Sequence, residues 1–215
     1  MTLTLVCVAD THMFHDDFKS FPDGDVLVHA GDLTRQGSAK ELATALAFFT
    51  ALPHRHKVFV AGNHDWLFAR EPERARELMR GVTYLEDSGA EVAGLRFWGS
   101  PWQPQYGGWA FNLPRGPALA EKWARIPDNV EVLVTHGPPF GVLDDAAAYR
   151  HGLLAGSGDW HEGCSDLGER VRQVRPRVHI FGHMHGNQGK VERDGTLFVN
   201  ATTDECERGP VVITL

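Results

Sequence analysis

The chain has no surplus of positive charge, no long apolar run and too few cysteines for a framework of bridges. Its 215 residues carry 21 Lys and Arg against 28 Asp and Glu, a formal net charge of -7. That balance leaves no basic footprint for a nucleic-acid backbone or an anionic membrane. No apolar stretch approaches the ~20 residues of a membrane-spanning helix. Cys7, Cys164 and Cys206 are odd in number and lack C-x-x-C spacing. This counts against a disulfide framework or a zinc ribbon, and it fits a reducing compartment. Each reads as a small apolar filler. Leu3 to Ala9 lacks a basic flank and runs straight into Asp10, so it reads as a strand rather than a leader. A cytoplasmic location is expected, with one domain over residues 1–215, since nothing marks a second domain, a repeat or a low-complexity tract.

What is present alternates. Short β-branched runs at 2–8, 25–29, 57–60, 131–134 and 178–181 read as buried strands. Helical patterns lie between them at 38–52, 72–80, 117–125 and 166–175. Ser38 with Glu41 forms a capping box, and Pro53 closes that helix. Alternation of this kind predicts an α/β architecture with ligands at the carboxyl ends of the strands. Hairpin-like segments at 83–87, 91–99, 190–199 (around Asp194-Gly195) and 211–215 predict a second, mixed sheet packed on the first. Residues 100–116 and 138–164 read as long loops, placed to wall a substrate pocket.

Five motifs sit at or just past these strands: Asp10-Thr11-His12, Gly31-Asp32, Gly62-Asn63-His64-Asp65, Thr135-His136-Gly137 and Gly182-His183-Met184-His185. Asp10 and His12, two apart, can converge on one ion, as can His183 and His185. Asp32, with two oxygens, is the natural bridge between two ions. Asn63 adds a carbonyl oxygen, and His136 adds imidazole nitrogen. Mixed oxygen and nitrogen donors favour Mn, Fe, Zn or Ni over Ca or Mg, and two ions sharing a carboxylate point to phosphoester chemistry. Singly, each motif is weak; Gly-Asp alone is ordinary turn chemistry. Their order along the chain, each at a strand end, carries the argument.

With these five motifs the chain resembles the calcineurin-like metallophosphoesterase superfamily. The wider context resembles small metallophosphoesterase-domain-containing proteins related to class III cyclic-nucleotide phosphodiesterases. The segments carrying that likeness are 27–32, 60–64, 99–102, 108–116, 135–139 and 175–183. The resemblance implies a four-layer αββα sandwich of two mixed β-sheets flanked by helices. It implies Asp10, His12, Asp32 and His185 around one ion and Asp32, Asn63, His136 and His183 around the other, with His64 as the catalytic histidine. Some members of that branch lack the first histidine of the last motif; His183 is intact here, so an active site is expected. Phosphoprotein phosphatases place Asp, and purple acid phosphatases Tyr, three residues after the shared Asp. Here Arg35 stands there, which favours a phosphodiesterase-like site.

The expected activity is hydrolysis of small phosphodiesters, cyclic nucleotides being the first to try. Two divalent ions, most readily Mn, less two carboxylates and a bridging hydroxide, leave a net +1 that suits a monoanionic diester. The hydroxide would attack phosphorus while His64 stabilises the pentavalent state or protonates the leaving alkoxide. Asp65 would orient the His64 ring or cap a helix. Asn63, His183 and Trp102 are candidate substrate contacts, Trp102 as one of several loop aromatics able to stack a base. His29 and His179 read as core. His15, His54, His56, His151 and His161 read as solvated, with His15 the best of them for touching substrate. The alternatives are a phosphomonoesterase, a nuclease (opposed by the acidic charge), or a catalytically idle nucleotide-binding interaction protein. No stable nucleic-acid or membrane partner is expected, and the chain is expected as monomer or homodimer.

Overall fold

The computed structural model describes residues 2–146 and 160–215. In chain order the first half contains β1 (Thr4–Val8), β2 (Val26–His29), α1 (Ala39–Ala51), β3 (His56–Phe59), α2 (Trp66–Arg70), α3 (Pro72–Leu78), β4 (Thr83–Tyr84), β5 (Ser88–Val92) and β6 (Leu95–Ser100). The second half contains β7 (Gln103–Pro104), β8 (Asn112–Leu113), α4 (Pro117–Ala124), β9 (Val132–Thr135), α5 (Ser165–Val174), β10 (Val178–Phe181), β11 (Gly189–Arg193), β12 (Thr196–Asn200) and β13 (Val211–Thr214).

Two sheets result. One runs β13-β1-β2-β3-β4, parallel except for β13. The other runs β11-β12-β10-β9-β6-β5, parallel in its middle and antiparallel at both edges. Because successive side chains of a strand face opposite sides, β1 divides its residues between two cores. Leu5 and Cys7 pack with Val26, Val28 and Val58 against Val132, Val134, Val178 and Ile180 of the other sheet. Val6 and Val8 face the other way, onto Leu42, Ala45 and Phe49 of α1 and Ala75 of α3. The outer face of the second sheet, through Leu133, Phe181 and Phe198, is covered by Leu119 and Trp123 of α4 and Leu167 and Val171 of α5. The layers are therefore helix, sheet, sheet, helix, as expected, and strands buried on both faces explain the near-continuous apolar runs.

Local chemistry sets the boundaries. Ser38 Oγ accepts from the Glu41 N–H while Glu41 Oε2 accepts from the Ser38 N–H, completing the capping box of α1. Leu52, preceding Pro53, turns to ψ 145° and ends it. Ala93-Gly94 and Asp194-Gly195, all with positive φ, close the β5–β6 and β11–β12 hairpins.

Three expectations need correcting, and one element was unannounced. Segment 83–87 is no hairpin: β4 adds in parallel to β3. Strand β13 joins the first sheet by pairing with β1, not the second. Segment 100–116 is not wholly loop, since β7 and β8 pair within it, and α2 follows the third motif without a periodic signal long enough to announce it. Among the described residues no helix is long and apolar enough to cross a membrane. The three cysteines are buried and unpaired, and burial raises the thiol of Cys206 to about 12.

Two histidines expected in solvent are also buried. His15 lies under Phe48, ring centroids 4.9 Å apart, and His54 sits against Phe21 with Nε2 3.0 Å from the Pro22 carbonyl. Burial lowers the pKa of both. His29 and His179 are core as expected, pushed by burial down to about 3. His56 is half-buried and His161 exposed, while His151, Gly152, Gly156 and Gly158 of the second long loop lie outside the described residues.

Trp123 anchors the outer layer: it is 1% exposed and its indole N–H donates to Cys164 Sγ at 3.3 Å. Trp123→Ala is expected to cost about 3–5 kcal/mol, measured as a shift of the urea unfolding midpoint at unchanged slope. A change below 1 kcal/mol would contradict this packing.

Candidate metal centre

The carboxyl ends of β1, β2 and β3 in one sheet meet those of β9 and β10 in the other, and every motif lies on this seam. Asp10 and His12 follow β1, Asp32 follows β2, Asn63 and His64 follow β3, His136 follows β9, and His183 and His185 follow β10. The chain turns sharply there. Asp10, His12, Asp32 and His183 hold φ of 55°, 42°, 56° and 68°, left-handed values that side chains adopt at a cost of about 1–3 kcal/mol each. Such strain gathers where side chains must converge rather than diverge with the pleat. Gly62 and Gly182 make the convergence possible, since a Cβ on either would strike the carboxylate of Asp32 or of Asp10.

The donor atoms fall into three groups: Asp10, His12 and His185; His12, Asp32 and His64; and Asp32, His136 and His183, each within 4.8 Å. His185 Nε2 is 3.7 Å from Asp10 Oδ1, and His12 Nε2 is 3.7 Å from Asp32 Oδ2. His136 Nε2 is 3.4 Å from the same Asp32 oxygen and 2.9 Å from Asn63 Oδ1. Donors bonded to one transition-metal ion at ~2.1 Å lie about 3.0–3.4 Å from each other, so the donor set fits two ions with Asp32 common to both. The far side of the rings is held as metal ligands require. His136 Nδ1 meets the Ala30 carbonyl at 3.0 Å and His185 Nδ1 meets Asp204 at 3.1 Å, each leaving Nε2 toward the seam.

Electrostatics agree. Asp10 and Asp32 are 0% and 2% exposed. Burial pushes the Asp32 carboxyl up, but His136, His12 and His64 hold it well below the usual carboxylate range. Burial would lower His136, yet Asp32 and Asp10 beside it raise it to about 9. Buried carboxylates with this demand for positive charge fit divalent cations.

Asp65 departs from both roles expected of it. Its carboxylate neither reaches the His64 ring nor caps α2. It accepts from the N–H groups of Asp32, Leu33, Thr34 and Gly62 at 2.8–3.3 Å and from the Thr34 hydroxyl at 2.7 Å. It thereby ties the β2 turn to the β3 turn. The His64 ring is oriented instead by the Arg35 carbonyl, 2.8 Å from Nδ1. Because a carbonyl only accepts, Nδ1 carries the hydrogen and neutral His64 keeps its lone pair on Nε2.

A cavity of about 1260 Å³ opens over this seam, lined by His12, Asp32, Asn63, His64, His183 and His185, with Arg35, Tyr106, Trp109, Pro138 and Ala146 farther out. Both long loops thus contribute walls. Trp102 does not line it. Its indole N–H donates to Asp87 at 3.0 Å, Lys122 Nζ sits 4.0 Å over the ring, and Phe111 packs at 5.5 Å. These are packing contacts, and the expected substrate contact has no support from this cavity's lining. His15 is likewise buried away from the cavity. Asp204, which orients His185, was not foreseen: it lies in a turn after β12 whose residues carry no motif.

The profile for calcineurin-like phosphoesterases matches residues 3–187. The chain belongs to that family. Metallophosphoesterase domain-containing protein 1 of Homo sapiens is 38% identical over 230 residues, covering 96% of this chain and 68% of its own. A UPF0046 protein of Caenorhabditis elegans is 36% identical, covering 96% and 71%. Among solved structures, a phosphopantetheinyl hydrolase from Mycobacterium tuberculosis superposes with TM-score 0.58 at 16% identity, over 93% of this chain and 88% of that one, a likeness of fold. As a calcineurin-like phosphoesterase the chain is a metal-dependent phosphoester hydrolase, and its seam carries the candidate ligands.

If Asp204 holds His185 for a metal, Asp204→Ala weakens Mn²⁺ binding about 10- to 100-fold in calorimetric titration of the chelator-stripped protein. The exposed neighbour Glu207→Ala leaves it unchanged. Equal affinities for both variants would remove Asp204 from the site.

Proposed function

We propose that this phosphoesterase is a phosphodiesterase of small substrates, with cyclic nucleotides the first to try. The observation that carries the reading is His64: half-buried at the cavity wall, locked through Nδ1, and presenting Nε2 beside the shared carboxylate. Asp10, His12, Asp32 and His185 would hold one ion and Asp32, Asn63, His136 and His183 the other. Two divalent ions, with Mn favoured and Fe, Zn or Ni compatible, supply charge stabilisation for phosphoryl oxygens and activate water.

The residues then have separate tasks. With only two carboxylates among the ligands, the site keeps a small net positive charge, suited to a monoanionic diester. His64, once protonated at Nε2, gives that proton to the departing alkoxide. The three buried free cysteines support a reducing, cytoplasmic setting, and the acidic charge supports no stable nucleic-acid or membrane partner; a monomer or homodimer is proposed with them.

The test is to strip the metal, restore Mn²⁺, and compare bis(p-nitrophenyl) phosphate with p-nitrophenyl phosphate. Diester turnover should vanish on chelation and return with Mn²⁺, and turnover of a cyclic nucleotide, whose leaving group is an alkoxide, should fall about 10²- to 10⁴-fold in His64→Ala. Hydrolysis that survives both treatments sinks the mechanism, and a faster monoester identifies a phosphomonoesterase.

If the substrate carries a base, the loop offers Tyr106, 72% exposed on the cavity wall, rather than Trp102. Tyr106→Ala should then raise KM for a cyclic nucleotide about 5- to 150-fold, the equivalent of a ~1–3 kcal/mol stacking contact. The small nitrophenyl ester should be little affected. Unchanged KM for both substrates would exclude stacking there.

A further inference from the structure

We propose that Trp109 is a positioning residue for His64, its indole clamping the imidazole in the orientation from which it serves the leaving group. The inference rests on the phosphodiesterase reading above and adds a residue to it. The two rings lie 4.1 Å apart between centroids and 31° from coplanar. His12 closes on the imidazole at 4.6 Å in an edge contact, 80° between planes. The Arg35 carbonyl holds one ring nitrogen. A hydrogen bond at one atom alone leaves the ring able to swing about that point. A flat surface stacked on its face removes that freedom.

The clamp is itself built rigidly. The Ala110 N–H donates to the Asn63 carbonyl at 3.2 Å, tying the tryptophan's loop to the residue before His64. Gln103, 1% exposed, donates its amide to the Ala110 carbonyl and to Asn112 Oδ1, both at 2.8 Å. Asn112 in turn donates to the Tyr106 carbonyl at 2.8 Å. Ala110 and Phe111 are sunk in the core below α1. Residues 103–113 therefore close on themselves and hold Trp109 against His64 rather than leaving it to collapse wherever apolar surface is found. Trp109 stays 36% exposed, so loop stability alone does not account for its placement.

The test compares Trp109→Ala, Trp109→Phe and His64→Ala in the Mn²⁺-loaded enzyme, using diesters with a nitrophenolate or an alkoxide leaving group. Nitrophenolate departs without a proton; alkoxide needs one. Trp109→Ala should lower kcat about 10- to 100-fold on the alkyl ester, the scale of a misplaced group. The loss should be smaller on the nitrophenyl ester, with KM within about twofold, and Trp109→Phe should restore most of it. Added to His64→Ala, the same change should cost nothing further, since the two act as one unit. A readout independent of turnover is the His64 Nδ1–H resonance of the metal-free protein, retained in the Phe variant and lost to solvent exchange in the Ala variant. A risen KM at constant kcat, additive losses, or a retained resonance in Trp109→Ala overturns the clamp. Activity that falls with His64→Ala but ignores Trp109→Ala overturns the clamp alone; activity indifferent to His64→Ala overturns the leaving-group role beneath it.

Discussion

The Asp32 carboxylate is the constraint around which the rest of the seam is arranged. It is buried, ionised and shared, lying near His12 on one side and His136 on the other. Removing such a charge from water costs several kcal/mol unless charge and hydrogen bonds replace the solvent. One oxygen accepts the His64 N–H at 2.8 Å, and neighbouring imidazoles supply the balancing charge. Asp65 adds a second buried carboxylate behind it. That group accepts the backbone N–H groups around Asp32, and its own pKa is raised by burial and by Asp32. Two anions stacked in this way create a standing demand for cations in front of them. The same arrangement that is costly to fold is what suits the seam to cations.

The architecture makes that cost bearable. Parallel strands all deliver their carboxyl ends to one edge, and here two sheets deliver them to the same seam from opposite sides. Only there can a residue after β1 meet residues after β9 and β10, over a hundred positions later. Left-handed backbone at Asp10, His12, Asp32 and His183 turns each side chain inward at the last moment. The three cores, one between the sheets and one outside each, supply the rigidity that keeps those strained turns from relaxing.

This division explains what could be read in advance. Strands buried on both faces show as apolar runs, and polar residues at their ends show as motifs, so the sandwich and the side chains that converge on the seam were legible. Strand order was not: β13 pairs with β1 across almost the whole chain, and nothing in its own four residues names its partner. Backbone acceptors leave no trace in a sequence, so the Arg35 carbonyl on His64 was invisible, and Asp65 was given its task instead. His15 and His54 were misplaced because polarity was weighed without the phenylalanines of α1 and of the connection between β1 and β2 that cover them. Trp102 and Trp109 lie seven residues apart in one aromatic stretch, and composition cannot say which faces the cavity.

Chemistry and selectivity therefore come from different parts of the molecule. The charges and donors belong to strand ends, where a displaced backbone would disturb both sheets at once. The walls belong to the turn bearing Arg35, to 103–113 and to the described residues after Pro138. Yet the boundary is crossed at His64. Its ring is anchored by a strand-end turn through Arg35 and covered by the wall loop through Trp109. Under the proposed mechanism, a change in that loop made for the sake of substrate shape would also move the His64 ring. On that proposal selectivity and rate are coupled at this one contact, and the coupling would limit how freely the 103–113 loop can vary.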